Sequence, residues 1–116
     1  MGWEIVYSEN FTGWWDDLTA EQQEALTGRI LLLQERGPDL GRPVVERIQG
    51  SRYQNMKELR ASKDGALRVL FIFDPRRRAV FLVGGDKTGQ WKQWYREAIP
   101  AAEERYEEFL RDEGLI

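Results

Sequence analysis

Residues 50–87 read GSRYQNMKELRASKDGALRVLFIFDPRRRAVFLVGGDK, and this stretch decides the fold. Residues 56–61, 66–74 and 79–85 have strand composition, apolar runs with cations among and between them. The connections at 62–65 and 74–78 are short enough to demand antiparallel neighbours. Asp74-Pro75 starts the second turn, because proline presets the dihedral that the turn's second position needs. The expected product is a three-stranded meander with one apolar face and one basic face.

Working outward, Trp3-Glu4-Ile5-Val6-Tyr7 has strand composition, and residues 10–17 read as an aromatic, turn-rich entry in which Phe11, Trp14 and Trp15 serve a core or a surface anchor. Thr19 then opens a helix, with Gln22 completing a capping box and Leu26, Ile30 and Leu33 forming a stripe that ends at Gly37-Pro38. Gly28 inside it is a soft spot of about 1 kcal/mol relative to Ala. Residues 37–55, with two prolines and three glycines, read as a loop, and a loop of that length binds something or packs on the body. Beyond Gly84-Gly85 the spacing of Trp91, Trp94, Tyr95 and Ile99 predicts a helix and an apolar core role for these side chains. Pro100 marks a break or a first turn, after which residues 103–110 continue with Tyr106, Phe109 and Leu110 as the apolar face. The plan is a single α+β domain over residues 1–116: a mostly antiparallel sheet with an N-terminal helix or helical hairpin and a C-terminal helix, packed on one side.

At 116 residues and 41% hydrophobic, the chain can bury a real core unaided. It holds no Cys and no His, which removes disulfide frameworks, thiolate nucleophiles, zinc fingers and imidazole bases. Any catalysis falls to carboxylates, Lys, Arg, Tyr, Ser or Thr, and no metal or cofactor is expected. The start has no signal-peptide pattern and no apolar run spans a bilayer, so a cytoplasmic protein without a membrane partner is expected. The formal charge of -3 conceals a dipolar distribution, with residues 1–41 carrying -6, residues 42–78 carrying +6 and residues 79–116 carrying -3. A basic centre between acidic helices suits a phosphate-rich partner. Solvated cations that keep a sheet from aggregating are the plainer explanation.

The order of segments from Gly50 to Leu110 resembles the RelE/ParE superfamily of bacterial toxin-antitoxin toxins, and more closely its HigB-like branch. The likeness rests on a loop, the Glu58-Leu59-Arg60 strand, Arg68-Val69-Leu70-Phe71 in the next strand, a turn, an aliphatic strand and Lys87-Thr88 leading into a helix. The resemblance implies a ribosome-dependent endoribonuclease that cuts messenger RNA and is neutralised by a cognate antitoxin, with ribosomal RNA contacts. RNA supplies its own nucleophile, the 2′-hydroxyl, so cleavage asks only for a base, in-line geometry, charge neutralisation at phosphate and a proton for the 5′-oxygen. Lys among other cations and Arg with its planar fork can supply much of this.

Carried onto this chain, the resemblance gives Arg68 the scissile phosphate, places Lys57 and Arg60 in the strand of cationic catalytic groups, and matches Lys87 and Tyr95 to a Lys and a C-terminal Tyr of these toxins. Strand alternation sets Met56, Glu58 and Arg60 on one face and Lys57 and Leu59 on the other, so Arg60 is favoured over Lys57. Asp86 is a further proton acceptor or, as commonly for an acid before a helix, a cap. Arg52 and Tyr53 in the loop and Arg76, Arg77 and Arg78 in the far turn are expected to contact RNA or the ribosome. A partner of acidic character would cover Arg60 and Arg68. Two alternatives stay open: a ParE-like toxin that binds without cutting, and a regulator with the fold alone.

Overall fold

The computed structural model describes residues 2–116. Strand β1 (Glu4–Tyr7) is followed by α1 (Glu9–Asp16), α2 (Ala20–Arg36) and a 3-10 turn (Gly37–Asp39). Next come β2 (Val45–Arg47), β3 (Met56–Ser62), β4 (Ala66–Asp74), β5 (Arg78–Asp86) and α3 (Trp91–Asp112). The sheet order is β1-β5-β4-β3-β2, antiparallel throughout except that β1 runs parallel to β5. The meander and its two turns therefore fall within one residue of the expected bounds.

Three elements depart from expectation. Residues 9–16 form a helix, because Ser8 caps it by accepting from the Phe11 N–H at 3.3 Å and Phe11, Trp14 and Trp15 share its inner face. The segment 37–55 contains a 3-10 turn and strand β2, a three-residue edge that pairs with Leu59-Glu58-Lys57. Pro100 lies inside α3 and does not break it; Ala98 and Ala102 on either side are buried against the sheet and hold the helix flat upon it. The expected capping box at the start of α2 is present, with Thr19 Oγ1 accepting from the Gln22 N–H and Gln22 Oε1 from the Thr19 N–H, both at 3.1 Å. Gln22 also donates to the Lys63 carbonyl at 3.1 Å, tying α2 to the β3–β4 turn.

The expectation of helices on one side is overturned. Phe11, Leu26, Ile30 and Leu33 pack on Leu59, Val69, Phe71 and Phe81, while Ala98 and Ala102 pack on Met56, Leu70, Ile72, Val80 and Leu82 across the opposite face. The reason is in β4: Val69, Leu70, Phe71 and Ile72 are consecutive and all buried, so neither face of the central strand tolerates water. Among the described residues neither face of the sheet is basic, since both are covered by packed apolar side chains. Gly84 and Gly85 show how tightly both layers close, since a Cβ on either would lie 2.1 Å from the indole of Trp14 on one side and Trp94 on the other.

Candidate active site

The start of α3, together with β2 and β3, borders a hollow of about 500 Å³. Arg60, Glu58, Lys87 and Tyr95 line it, with Trp91, Arg42 and Glu46 at its rim. A cleft of about 480 Å³ between β1 and the end of α3 is lined by Glu9, Glu108 and Asp112 beside Arg105, an acid-rich set unsuited to phosphate.

The centre of the hollow is a residue that the sequence reading passed over. Arg60 and Arg68 stand directly opposite each other across β3 and β4, a like-charge pairing that is unfavourable unless an anion joins it. Glu58, 3% exposed, is that anion. Its Oε2 accepts from Arg60 Nη2 at 3.1 Å, while Oε1 lies 3.6 Å from Arg68 Nε and accepts from the Tyr95 hydroxyl at 2.5 Å. Alternation already placed Glu58 on the Arg60 face; what no pattern gave is that Tyr95, thirty-seven positions later, closes on it. Arg60 Nε and Arg68 Nε are buried without a hydrogen-bond acceptor, so both guanidiniums retain unused donors.

The expected site residues divide. Arg60, Lys87 and Tyr95 are brought together. Arg68 is one step back: its side chain is 11% exposed, it donates through Nη1 to the Leu67 carbonyl at 2.8 Å, and it does not line the hollow. Its action there passes through Glu58 and through its charge on Lys87. Lys57 faces the other way, its Nζ 5.4 Å from the centre of the Phe73 ring, as strand alternation required. Asp86 accepts from the Ala66 N–H at 3.0 Å and from the Thr88 N–H and Oγ1 at 2.9 and 2.6 Å, so it fastens a turn.

The residues expected to contact RNA also make contacts within the protein, while Arg52, Arg76 and Arg77 stay exposed. Arg78 binds Asp74 and Glu113 and lies over Phe109; Arg77 stacks on Trp3; Arg76 reaches Glu113 at 3.6 Å. All three sit at the end of β4 remote from Arg68. In the loop before β3, Arg52 pairs with Glu107, and the Tyr53 hydroxyl donates to Glu107 at 2.9 Å with its ring 5.1 Å from Tyr106. Glu103 accepts from Ser51 Oγ at 2.9 Å and from the Arg52 N–H at 2.7 Å. The loop is thus pinned to α3, which forms the wall of the hollow.

The electrostatics suit proton transfer. Burial, reinforced by the charges of Arg68 and Arg60 and partly opposed by Glu58, holds the Lys87 ammonium below the ordinary lysine range. Burial, together with donation to Glu58, pushes the Tyr95 phenol up to about 12. Lys87 Nζ lies 5.4 Å from the Tyr95 ring centre, so an amine whose proton affinity is lowered stands beside a phenol whose own is raised.

The sequence over residues 13–107 matches the family described as "Phage derived protein Gp49-like (DUF891)". Two proteins of Mycobacterium tuberculosis (strain ATCC 25618 / H37Rv) are similar. One, described as "Putative toxin HigB3", is 47% identical over 86% of this chain and 87% of its own length. The other, "Putative toxin HigB2", is 45% identical over 95% of this chain, which spans only 55% of that relative. The fold is similar to that of a free-state mutant of the Escherichia coli toxin RelE, with a TM-score of 0.63 at 13% identity over 86% of this chain and 97% of that one. RelE in the intact E. coli RelBE toxin-antitoxin complex gives 0.58 at 9% identity over 72% and 95%. Sequence and fold agree: the chain belongs to the Gp49-like family, and its fold is similar to that of RelE.

Proposed function

We propose that this protein is the toxin of a type II toxin-antitoxin pair, an endoribonuclease that cleaves messenger RNA on the ribosome without a metal and is neutralised by a cognate antitoxin. The observation that carries the reading is the meeting of Arg60, Lys87, Tyr95 and Glu58 in one open hollow. The neutral Lys87 amine takes the proton of the 2′-hydroxyl, whose oxygen attacks the adjacent phosphorus. Arg60 neutralises the charge that accumulates on the phosphate oxygens. Tyr95, still protonated, gives its hydrogen to the departing 5′-oxygen, leaving a 2′,3′-cyclic phosphate and a 5′-hydroxyl end. The Lys87 ammonium and the Tyr95 phenolate then return to their starting forms through water. Arg68 is a positioning residue that fixes Glu58 and lowers the proton affinity of Lys87.

One observation favours the non-cutting, ParE-like alternative: Glu58 already neutralises Arg60 and Arg68. Induced expression separates the two. Growth arrest with transcripts cut inside coding regions, only while ribosomes translate, is expected. Arrest with intact transcripts refutes the nuclease, and harmless expression refutes the toxin. Arg60→Ala is expected to lower cleavage about a hundredfold, the loss of one charge-stabilising contact of ~3 kcal/mol.

A further inference from the structure

Trp91 opens α3, one helical turn before Tyr95, and it is 54% exposed at the mouth of the hollow. Helical spacing alone assigns it to the core with Trp94 and Tyr95, but the sheet has ended by this point. Trp94 closes over Gly85, Tyr95 turns toward Glu58, and Trp91 is left over open space. More than half of this large apolar ring is left in water at the edge of a charged hollow. Lys92 Nζ lies 5.5 Å from its ring centre, adding a cation beside the indole. Gln49, whose amide carries both a donor and an acceptor, also lines the hollow.

We infer that Trp91 is a nucleobase platform: the base of a nucleotide flanking the cleaved linkage stacks on the indole, and Gln49 meets the edge of that base. The inference rests on the nuclease reading of the same hollow. Every base has a π-face, so the indole supplies affinity without choosing a sequence. The preference comes from Gln49, because an amide pairs with some base edges and not with others. Trp91 and Lys87 flank Tyr95, so a base seated on the indole sets the position of its neighbouring phosphate relative to the amine.

The test maps cut ends on messenger RNA in a translating extract with the full-length protein as parent, Trp91→Phe, Trp91→Ala, Gln49→Ala and Lys87→Ala. Trp91→Ala is expected to raise KM by about 5- to 150-fold, the range that base stacking supplies, with kcat largely kept. Trp91→Phe should restore most of the loss, and Gln49→Ala should broaden the distribution of cut sites. Lys87→Ala should abolish cutting in any context. If the parent cuts and Trp91→Ala cuts with unchanged KM, the platform is overturned and the nuclease stands. Equal losses in Trp91→Ala and Trp91→Phe also overturn it, since stacking tolerates a change of ring. If the parent itself does not cut, the nuclease reading falls and the platform with it. A 2′-O-methyl RNA oligonucleotide, which cannot be cleaved, should quench the emission of the parent and not that of Trp91→Phe.

Discussion

Replacing Glu58 by Gln tests the central geometry without changing its shape. The amide fills the same space and can still accept from Tyr95, but the negative charge shared by Arg60 and Arg68 is gone. Two guanidiniums then face each other across neighbouring strands with no anion between them. Removing one member of a buried ion group costs about 3–5 kcal/mol. The Arg60 side chain is 31% exposed against 11% for Arg68, so water relieves part of the burden and the lower figure, ~3 kcal/mol, applies. In a chain of this size that lowers the melting temperature by on the order of 10 °C, read by thermal denaturation with circular dichroism. An added oxyanion should occupy the vacated place, so inorganic phosphate should raise the melting temperature of Glu58→Gln more than that of the parent. The Tyr95 phenol should also titrate lower than about 12 while staying above an ordinary tyrosine, because burial outranks the bond to Glu58 among its causes. A variant within 1 °C of the parent, indifferent to phosphate and unchanged in its tyrosine titration, refutes the assignment of Glu58 as the anion that holds the site together.

Other expectations follow from separate parts of the molecule. Cleavage should rise with pH as Lys87 loses its proton and level off below the ordinary lysine range, since burial and the two arginines hold its ammonium form down; a rate still climbing at the normal lysine value sinks Lys87 as the base. Tyr95 binds its proton more tightly folded than unfolded, so its contribution to stability is complete below pH 10 and disappears as pH rises toward about 12. Tyr95→Phe should therefore lose less stability than the parent over that interval in alkaline denaturation. Gly85→Ala should cost about 1–3 kcal/mol in urea unfolding, because its methyl would stand 2.1 Å from the Trp94 indole, and an undisturbed midpoint would contradict that close approach. Lys57→Ala should leave cleavage unchanged, its ammonium lying on the opposite face of β3.

The strands were legible because turn chemistry and strand composition reinforce each other over residues 56–86, and α2 because Thr19 and Gln22 announce its start. The first helix was hidden by its own content: a Gly and three aromatics in eight residues look like a turn, although Phe11, Trp14 and Trp15 keep helical spacing. Strand β2 is three residues long beside Pro43, too short for any period to register. The two-sided sheet was written in the uninterrupted Val69-Leu70-Phe71-Ile72-Phe73, which a one-sided strand would have broken with polar residues. Arg60 could be named from strand alternation, and Lys87 and Tyr95 from the resemblance, as residues that meet in one hollow. Glu58 could not, since an acid in a basic strand looks the same whether it salts a surface or anchors three side chains from three elements. The partners of Arg78 were hidden for the complementary reason: Asp74 and Glu113 are four and thirty-five positions away.

The double burial of β4 also explains why the cations gather where they do. A central strand covered on both faces can carry charge only where a covering layer ends, and α3 ends its contact with the sheet at Tyr95 and Trp94, over Arg68 and Gly85. Two arginines at that one place repel, so a resident anion stabilises the fold before it is part of any chemistry. On the nuclease reading proposed above, a substrate phosphate entering the hollow would meet Arg60 already engaged and compete with Glu58 for it. Success in that competition alters the surroundings of Tyr95, whose proton is held by the same carboxylate. Binding of phosphate and release of the Tyr95 hydrogen are thereby coupled through one side chain, and Glu58→Gln should uncouple them: tighter binding of a non-cleavable RNA together with slower cleavage.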